Sequence, residues 1–267
     1  MSDLKIVAQD LYGRSPMRRL MPLWWALGLT ALFVVSILGM NLNIARIIEG
    51  GDRLVVMLGQ MFPPDFSILG RIIGPAIETL YVAILGTFLG VVFSIVIGVL
   101  AAHNITPHVT VEIALKGFSA FTRAVPALIW ALLFIVAVGL GPLPGILALA
   151  VNSIGMLGKV FAESIEEIDK GQIEAVAATG ATPLQIISKA IIPSVTPALV
   201  SWSLFRLDIN IRYSAVLGVV GAGGIGLELV RSTRMLAFDE TLTITLLIFV
   251  MVWAVEYVNN QIRAFIR

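Results

Sequence analysis

Apolar positions along the chain fall into six windows of about twenty residues, the length of helix that crosses a hydrocarbon core of about 30 Å. They cover residues 21–40, 77–102, 117–140, 143–162, 196–220 and 242–258. Trp24 and Trp25 stand near the start of the first window as interfacial anchors. Its apolar core is too long for a signal peptide, and no small-residue cleavage site follows Met40. In the second window Gly86, Gly90 and Gly98 let neighbouring helices approach closely, and Glu78 at its edge reads as a helix-start charge suited to the dipole. Gly139, Gly141, Pro142 and Pro144 form a breaker-rich turn between the third and fourth windows, which predicts a tight antiparallel pair.

Six spans place both termini on one side. Lys5, Arg14, Arg18, Arg19, Lys116, Lys159, Lys170, Lys189, Arg263 and Arg267 share that side, against Arg46, Arg53, Arg71, Arg231 and Arg234 on the other. The positive-inside rule then predicts that the N- and C-termini are both cytoplasmic.

Two segments lie outside the windows. On the external side Ile44, Ile47, Ile48, Val55, Leu58, Met61 and Phe62 recur at helical spacing opposite Arg46, Glu49, Asp52 and Gln60, interrupted by Gly50-Gly51 and ended by Pro63-Pro64. The pattern predicts an amphipathic helix pair in the membrane interface, or a short helix packed under a loop. The cytoplasmic stretch 163–193 is the most polar of the chain. Glu166 and Lys170 stand at i, i+4 in the favourable order, and helical signals run from Ile173 to Ala178 until Gly180 supplies a stop. Thr182 as N-cap, Pro183 at the first position and Gln185 three residues on form a capping box for a second helix, and Pro193 leads into the fifth span. Helix, glycine elbow and helix make a rigid bracket suited to transmitting a push. The chain thus divides into an N-terminal cytoplasmic segment 1–20, a first span 21–40, an external segment 41–73 and a core 74–267 containing the bracket.

Composition narrows the class. Of 267 residues 58% are hydrophobic and 13% charged, with a mean hydropathy of +0.96; soluble domains carry about 45–50% and about 25%. Such a chain takes lipid as its main solvent. A net charge of +1 without a run of Lys and Arg excludes nucleic-acid binding. With no Cys, and His103 and His108 as the only histidines, thiolate and His-rich metal sites are excluded as well.

The bracket resembles the EAA loop of ABC-importer permeases. Glu174, Ala175, Gly180 and Pro193 fall on that motif without a gap, while Val176 replaces its second Ala, Ala190 stands where Ile is usual and Ile192 replaces Leu. The stretches Met61-Phe62-Pro63-Pro64-Asp65-Phe66, Arg123-Ala124-Val125-Pro126, Gly155-Met156-Leu157-Gly158-Lys159 and residues 216–226 are similar to the phosphonate-import subfamily, from about residue 40 to the C-terminus. Permeases for phosphite, hypophosphite and other small oxyanions share much of this pattern. The resemblance implies an all-α polytopic membrane protein of about six transmembrane helices, with the type I ABC-importer (MetI-like) fold, in a bacterial inner membrane. It also implies coupling through Glu174, Ala175, Ala178, Gly180, Ala181, Thr182, Pro183, Gln185 and Pro193, which would dock on a cytoplasmic ATPase. A second permease copy and an external substrate-binding protein complete the expected assembly. ATP and Mg would be bound by the partner, since this chain has no Walker-type Gly-rich Lys loop. No cofactor, metal or catalytic residue is expected on the chain itself.

Charges inside spans are costly and are functional candidates by default. The fifth span carries Arg206, Asp208 and Arg212. Asp208 and Arg212 share a face, so they either pair and pin the span, or an arginine faces a water-filled path and offers a bidentate site to a phosphonate oxyanion. Arg123, just before the helix-kinking Pro126, either reaches the cytoplasmic headgroups or lines the inner path. Asn152, Asn210, Ser201 and Ser203 can hydrogen-bond between helices or to substrate. Gly221, Gly223, Gly224 and Gly226 match a dinucleotide fingerprint, but the flanking spans give it no strand-and-helix setting; they read as a flexible external connection. A self-contained secondary transporter would show an internal repeat, and an intramembrane enzyme would show paired acids or an activated nucleophile. Neither is visible.

Overall fold

The computed structural model describes residues 16–40, 44–106 and 108–266. Among these residues there is no strand. The helices are α1 (Pro16–Gly39), α2 (Ile44–Gln60), α3 (Leu69–Ala101), α4 (Val109–Ala124), α5 (Ala127–Val138), α6 (Pro142–Glu166), α7 (Lys170–Ala177), α8 (Pro183–Ile186), α9 (Ile192–Leu217), α10 (Ile225–Arg234) and α11 (Phe238–Ile266). Among the described residues five runs are long and apolar enough to cross a membrane, or six if the bent pair α4–α5 counts as one.

The chain forms two units, Met1–Met57 and Leu58–Arg267. In the first, Leu20–Gly39 is a membrane-length window with none of its residues buried, as expected of a helix solvated by lipid. Of the expected segment 1–20, residues 1–15 lie outside the described residues, whereas 16–20 are already helical. The amphipathic segment is one helix and not a pair, for α2 runs unbroken through Gly50-Gly51. Each glycine costs a helix roughly 1 kcal/mol, and the exposed i, i+4 pair of Glu49 and Arg53 that spans the site offsets only a part of that.

In the second unit α3 and α6 pack along a seam of small residues. A Cβ on Gly86 would lie 2.7 Å from Leu149 Cβ, one on Gly98 2.7 Å from Phe161 Cβ, and one on Gly90 would collide with Ser153. Without a solvent-driven hydrophobic force between helices, close backbone approach and hydrogen bonding provide the cohesion. Accordingly Thr87 and Ser153 are buried, each hydroxyl donating to the carbonyl one turn back at 2.6 and 2.5 Å, while Phe88 and Phe93 face outward.

Three expected boundaries shift. The segment predicted to end at residue 73 stops at a short turn, Phe66–Ile68, capped by Asp65, whose carboxylate accepts from Ser67 N at 2.8 Å. Glu78 is therefore an interior residue of α3 and not a helix-start charge. The third window is not a straight span: α4 and α5 bend by 90° at Val125 and Pro126. Proline offers no N–H and pushes the preceding residue out of the helical region, and Val125 is extended at φ −87°, ψ 120°. With 12 residues, α5 spans about 18 Å, so the tight pair that turns at Gly139 and Gly141 joins a half-span to a full one. Finally, Pro193 stands in the first turn of α9 as expected, but the apolar run that carries the fifth span begins before it. Leu184–Val220 is one apolar run of 37 residues, widened by a π-helical turn at Ile187–Ile191. Pro193 has no N–H for the carbonyl of Lys189 and crowds it, which a wider turn relieves.

Candidate functional site

The bracket forms as the capping signals predict. Asp169 opens α7 by accepting from Gly171 N at 2.8 Å, and Ala178 N, Thr179 N and Gly180 N close it on the carbonyls of Glu174, Val176 and Ala177. Gly180 then adopts φ +78°, with nothing within 4 Å of the position a Cβ would take. One half of the capping box is made, since Gln185 Oε1 accepts from Thr182 N at 2.8 Å. No residue of α7 is buried, and Glu174, Ala175, Ala178, Thr182 and Gln185 are exposed with Ala181 half-covered. Leu184, which sequence reasoning passed over, is 78% exposed and is the bracket's apolar knob; a leucine one position after the proline of a capping box is the signal that could have found it.

Inward, Ile173, Ile186 and Ile187 pack on Ile165, Ile191 and Val195, and Ser194 Oγ donates to Gln172 Oε1 at 2.9 Å. The bracket therefore rests on α6 and α9. The expected Glu166–Lys170 pair is absent: Glu166 Oε1 accepts instead from Lys116 Nζ at 2.9 Å and His103 N at 2.8 Å. The break at Glu167–Asp169 ends α6 and separates the two residues that an unbroken helix would have aligned.

Asp208 and Arg212 do not pair either. Asp208 accepts from Arg263 at 2.7 Å and from Asn259, while Arg212 lies 3.7 Å from Glu256. Both partners belong to α11, which packs along that face of α9 and offers each charge its own counterpart.

Arg206 points the other way. It is 3% exposed and donates to Ser153 Oγ at 2.8 Å, to Asn152 Oδ1 at 2.5 Å and to Met156 Sδ at 3.5 Å. Asn210 joins the same network, its amide donating to Thr87 Oγ1 at 2.8 Å and Ser153 Oγ at 2.9 Å. Asn152 in turn donates to Val125 O at the α4–α5 break, at 3.3 Å. Beside this network lies a cavity of about 460 Å³ whose lining includes Arg123, Pro126, Asn152, Met156, Arg206 and Tyr213. Of the expected path residues the structure thus gathers Arg123, Pro126 and Arg206 on the cavity with Asn210 behind them, and leaves Asp208 and Arg212 on the opposite face. Met156 and Tyr213 were missed; the spacing of 206, 210 and 213 already puts Tyr213 on one stripe of α9 with Arg206, and Met156 stands one turn beyond Asn152 on α6.

The glycine-rich connection expected to be flexible is a packed turn. Gly221, Gly223 and Gly224 have φ of +100°, +75° and +73°. A Cβ would meet Leu140 at Gly221, Glu78 at Gly223, Thr79 at Gly224 and the Ala215 carbonyl at Gly226. Thr79 Oγ1 accepts from Ile225 N at 2.8 Å, and Gly141 N donates to Gly221 O at 3.1 Å. Glycine is needed here for both its φ and its lack of bulk.

Membrane-length helices close on a seam of small residues, with a cavity lined by two arginines beside it and a polar bracket between two spans. Residues 94–265 match the family of binding-protein-dependent transport system inner membrane components, and the chain belongs to that family. It is 41% identical over 222 residues to the phosphite transport system permease protein PtxC of Stutzerimonas stutzeri, covering 83% of this chain and 81% of that one. It is 42% identical over 230 residues to the phosphate-import permease protein PhnE of Mycolicibacterium smegmatis, covering 86% of this chain and 43% of that one. Among solved structures, an inward-facing form of the MetNI methionine ABC transporter superposes with a TM-score of 0.64 at 26% identity, covering 78% of this chain and 100% of that one. A bacterial ABC transporter that imports alginate gives 0.58 at 15% identity, covering 92% and 98%, a likeness of fold alone. The fold is that of type I ABC-importer transmembrane subunits, and the chain is a multi-pass inner-membrane permease of an ABC importer.

Proposed function

We propose that this permease carries phosphonate, or a related small phosphorus oxyanion such as phosphite or phosphate, into the cell. In this reading it pairs with a second copy of itself, receives substrate from an external binding protein and is driven by two cytoplasmic ATPases that hold the ATP and Mg. The named substrates of its relatives support the oxyanion class. The excess of basic residues on one side supports cytoplasmic termini.

The observation that carries the coupling role is the bracket itself. Its helix α7 has no buried residue, and open space surrounds an elbow at Gly180 that only a left-handed residue can make. Glu174, Ala175, Ala178, Gly180, Ala181, Thr182, Pro183 and Gln185 would form the docking surface, with Pro193 joining it to α9. An ATPase that pulls on the bracket pulls on α9 through Ser194 and the isoleucines beneath, and α9 carries Arg206 past α6. Rigid-body movement of packed helices is the usual route from such a pull to alternating access. Arg123, Pro126, Arg206 and Asn210 line or back the path, while Asp208 and Arg212 tie α9 to α11.

Co-expression with a candidate ATPase, followed by detergent extraction through a tag on the permease, tests the reading. A nucleotidase should co-purify, and Gly180→Pro should insert normally yet lose both co-purification and uptake. A permease recovered without nucleotidase activity, or normal uptake by Gly180→Pro, overturns the coupling role.

A further inference from the structure

We propose that the permease itself holds an anion-binding site, built from Arg206, Arg123 and the start of α5, which takes a tetrahedral phosphorus oxyanion within the membrane. The occupant's class rests on the function proposed above; the positive site does not.

Burying a guanidinium without a carboxylate is costly, and buried charges are ordinarily paired. Arg206 stands near the middle of α9 and is 3% exposed, yet every acceptor it has is neutral. One of the three is a thioether, a weak acceptor. A carboxylate lies only two residues away, but Asp208 faces α11 and already receives Arg263 and Asn259. Five N–H groups belong to the guanidinium, and the bonds to Ser153, Asn152 and Met156 leave others free while holding the plane in place. Ser153 is fixed in turn by Leu149 O and Asn210, so the arginine is oriented before any ligand arrives.

The cavity that Arg206 lines carries no acid. Its lining holds two arginines and no Asp or Glu. Arg123 makes no ion pair among the described residues, in contrast to Arg71, Arg212, Arg231 and Arg263, each of which lies within 4 Å of a carboxylate. A third feature points the same way. The α4–α5 break starts a new helix at the cavity: Ala127 and Leu128 line it, Pro126 is the N-cap residue, and no side chain caps the α5 N-terminus. Unpaired N–H groups there add a partial positive charge to the cavity that both arginines line. Charge, bidentate donors and a volume of about 460 Å³ suit a compact oxyanion with some of its water. Such a site gives the membrane subunit a charge check of its own, separate from the binding protein. It must also release its ligand, and a guanidinium already engaged by neutral partners has fewer donors left to grip with.

The chain has no cysteine, so a single reporter thiol can be placed in the cavity. In the complete transporter with Leu128→Cys, the rate of modification by an anionic methanethiosulfonate reagent is divided by the rate for a cationic one. Adding Arg206→Gln or the less buried Arg123→Gln should lower that ratio by about tenfold, and phosphite or methylphosphonate should slow modification of the unaltered cavity. An unchanged ratio in both variants overturns the site; a changed ratio without protection by either oxyanion overturns the proposed occupant. Uptake separates this from the function proposed above. If the unaltered transporter takes up no phosphorus oxyanion, that reading fails whatever the thiol reports. If it does, Arg206→Gln should cut uptake roughly tenfold, the loss of one charge-assisted hydrogen bond, with ATP hydrolysis retained, and Arg206→Lys should restore part of it. Uptake at the unaltered level in Arg206→Gln overturns the site.

Discussion

Gly90 and Gly180 need glycine for opposite reasons. At Gly90, in the α3–α6 seam, a side chain has nowhere to go because Ser153 occupies the space. At Gly180, in the bracket, there is nothing within 4 Å, and the requirement is the backbone angle of +78°. One glycine closes the bundle, and the other shapes an exposed turn. In the function proposed above, the first serves stability and the second serves communication.

Five substitutions, in three steps, test that division. Gly90→Leu should have the largest effect: overpacking a closed seam costs about 3 kcal/mol or more, so folded permease should be nearly absent from the membrane fraction by fluorescence size-exclusion. Normal recovery would mean that the seam yields. Next, Gly180→Val should lower thermal stability in detergent far less than Gly90→Leu, by about 1–2 kcal/mol of local strain, while abolishing uptake, whereas Gly180→Asn, which tolerates the left-handed region, should retain most of it. Equal loss with both residues would assign Gly180 to a steric contact and not to an angle. The smallest effects separate the two charges of α9. Asp208→Asn strips the charged partner from Arg263 and should lower stability by about 2 kcal/mol; Arg212→Gln breaks a longer, exposed pair and should cost under about 0.5 kcal/mol. Denaturation of the two variants side by side measures the difference. A larger loss for Arg212→Gln would reverse the assignment.

The two glycines also differ in how far each could be read in advance. Gly180 announces itself through its neighbours: Glu174 and Ala175 six and five residues before it, the capping box two residues after. Gly90 is legible only as one of three small residues in an apolar window. Its partner Ser153 lies across the bundle, and no spacing in the chain names it. The same holds for the charges. Asp208 and Arg212 stand where a helix would pair them, yet the folded chain offers Arg263 and Glu256 at better positions, and a local rule cannot weigh partners it does not see. Glu166 repeats the lesson, bonding to Lys116 at a separation of 50 residues when Lys170 stood four away.

Sequence by itself determined the membrane class, five of the six windows as single helices, the bracket with its elbow, and the importer-permease family. Each depends on the length of an apolar run or on caps within a few residues, and such signals act along the chain. Tertiary structure decided the packed state of the glycine turn and which of four intramembrane charges remain without a counter-charge. Those outcomes are set by helices brought together from 50 or more residues apart, because in the membrane a polar group takes whichever partner the packing presents.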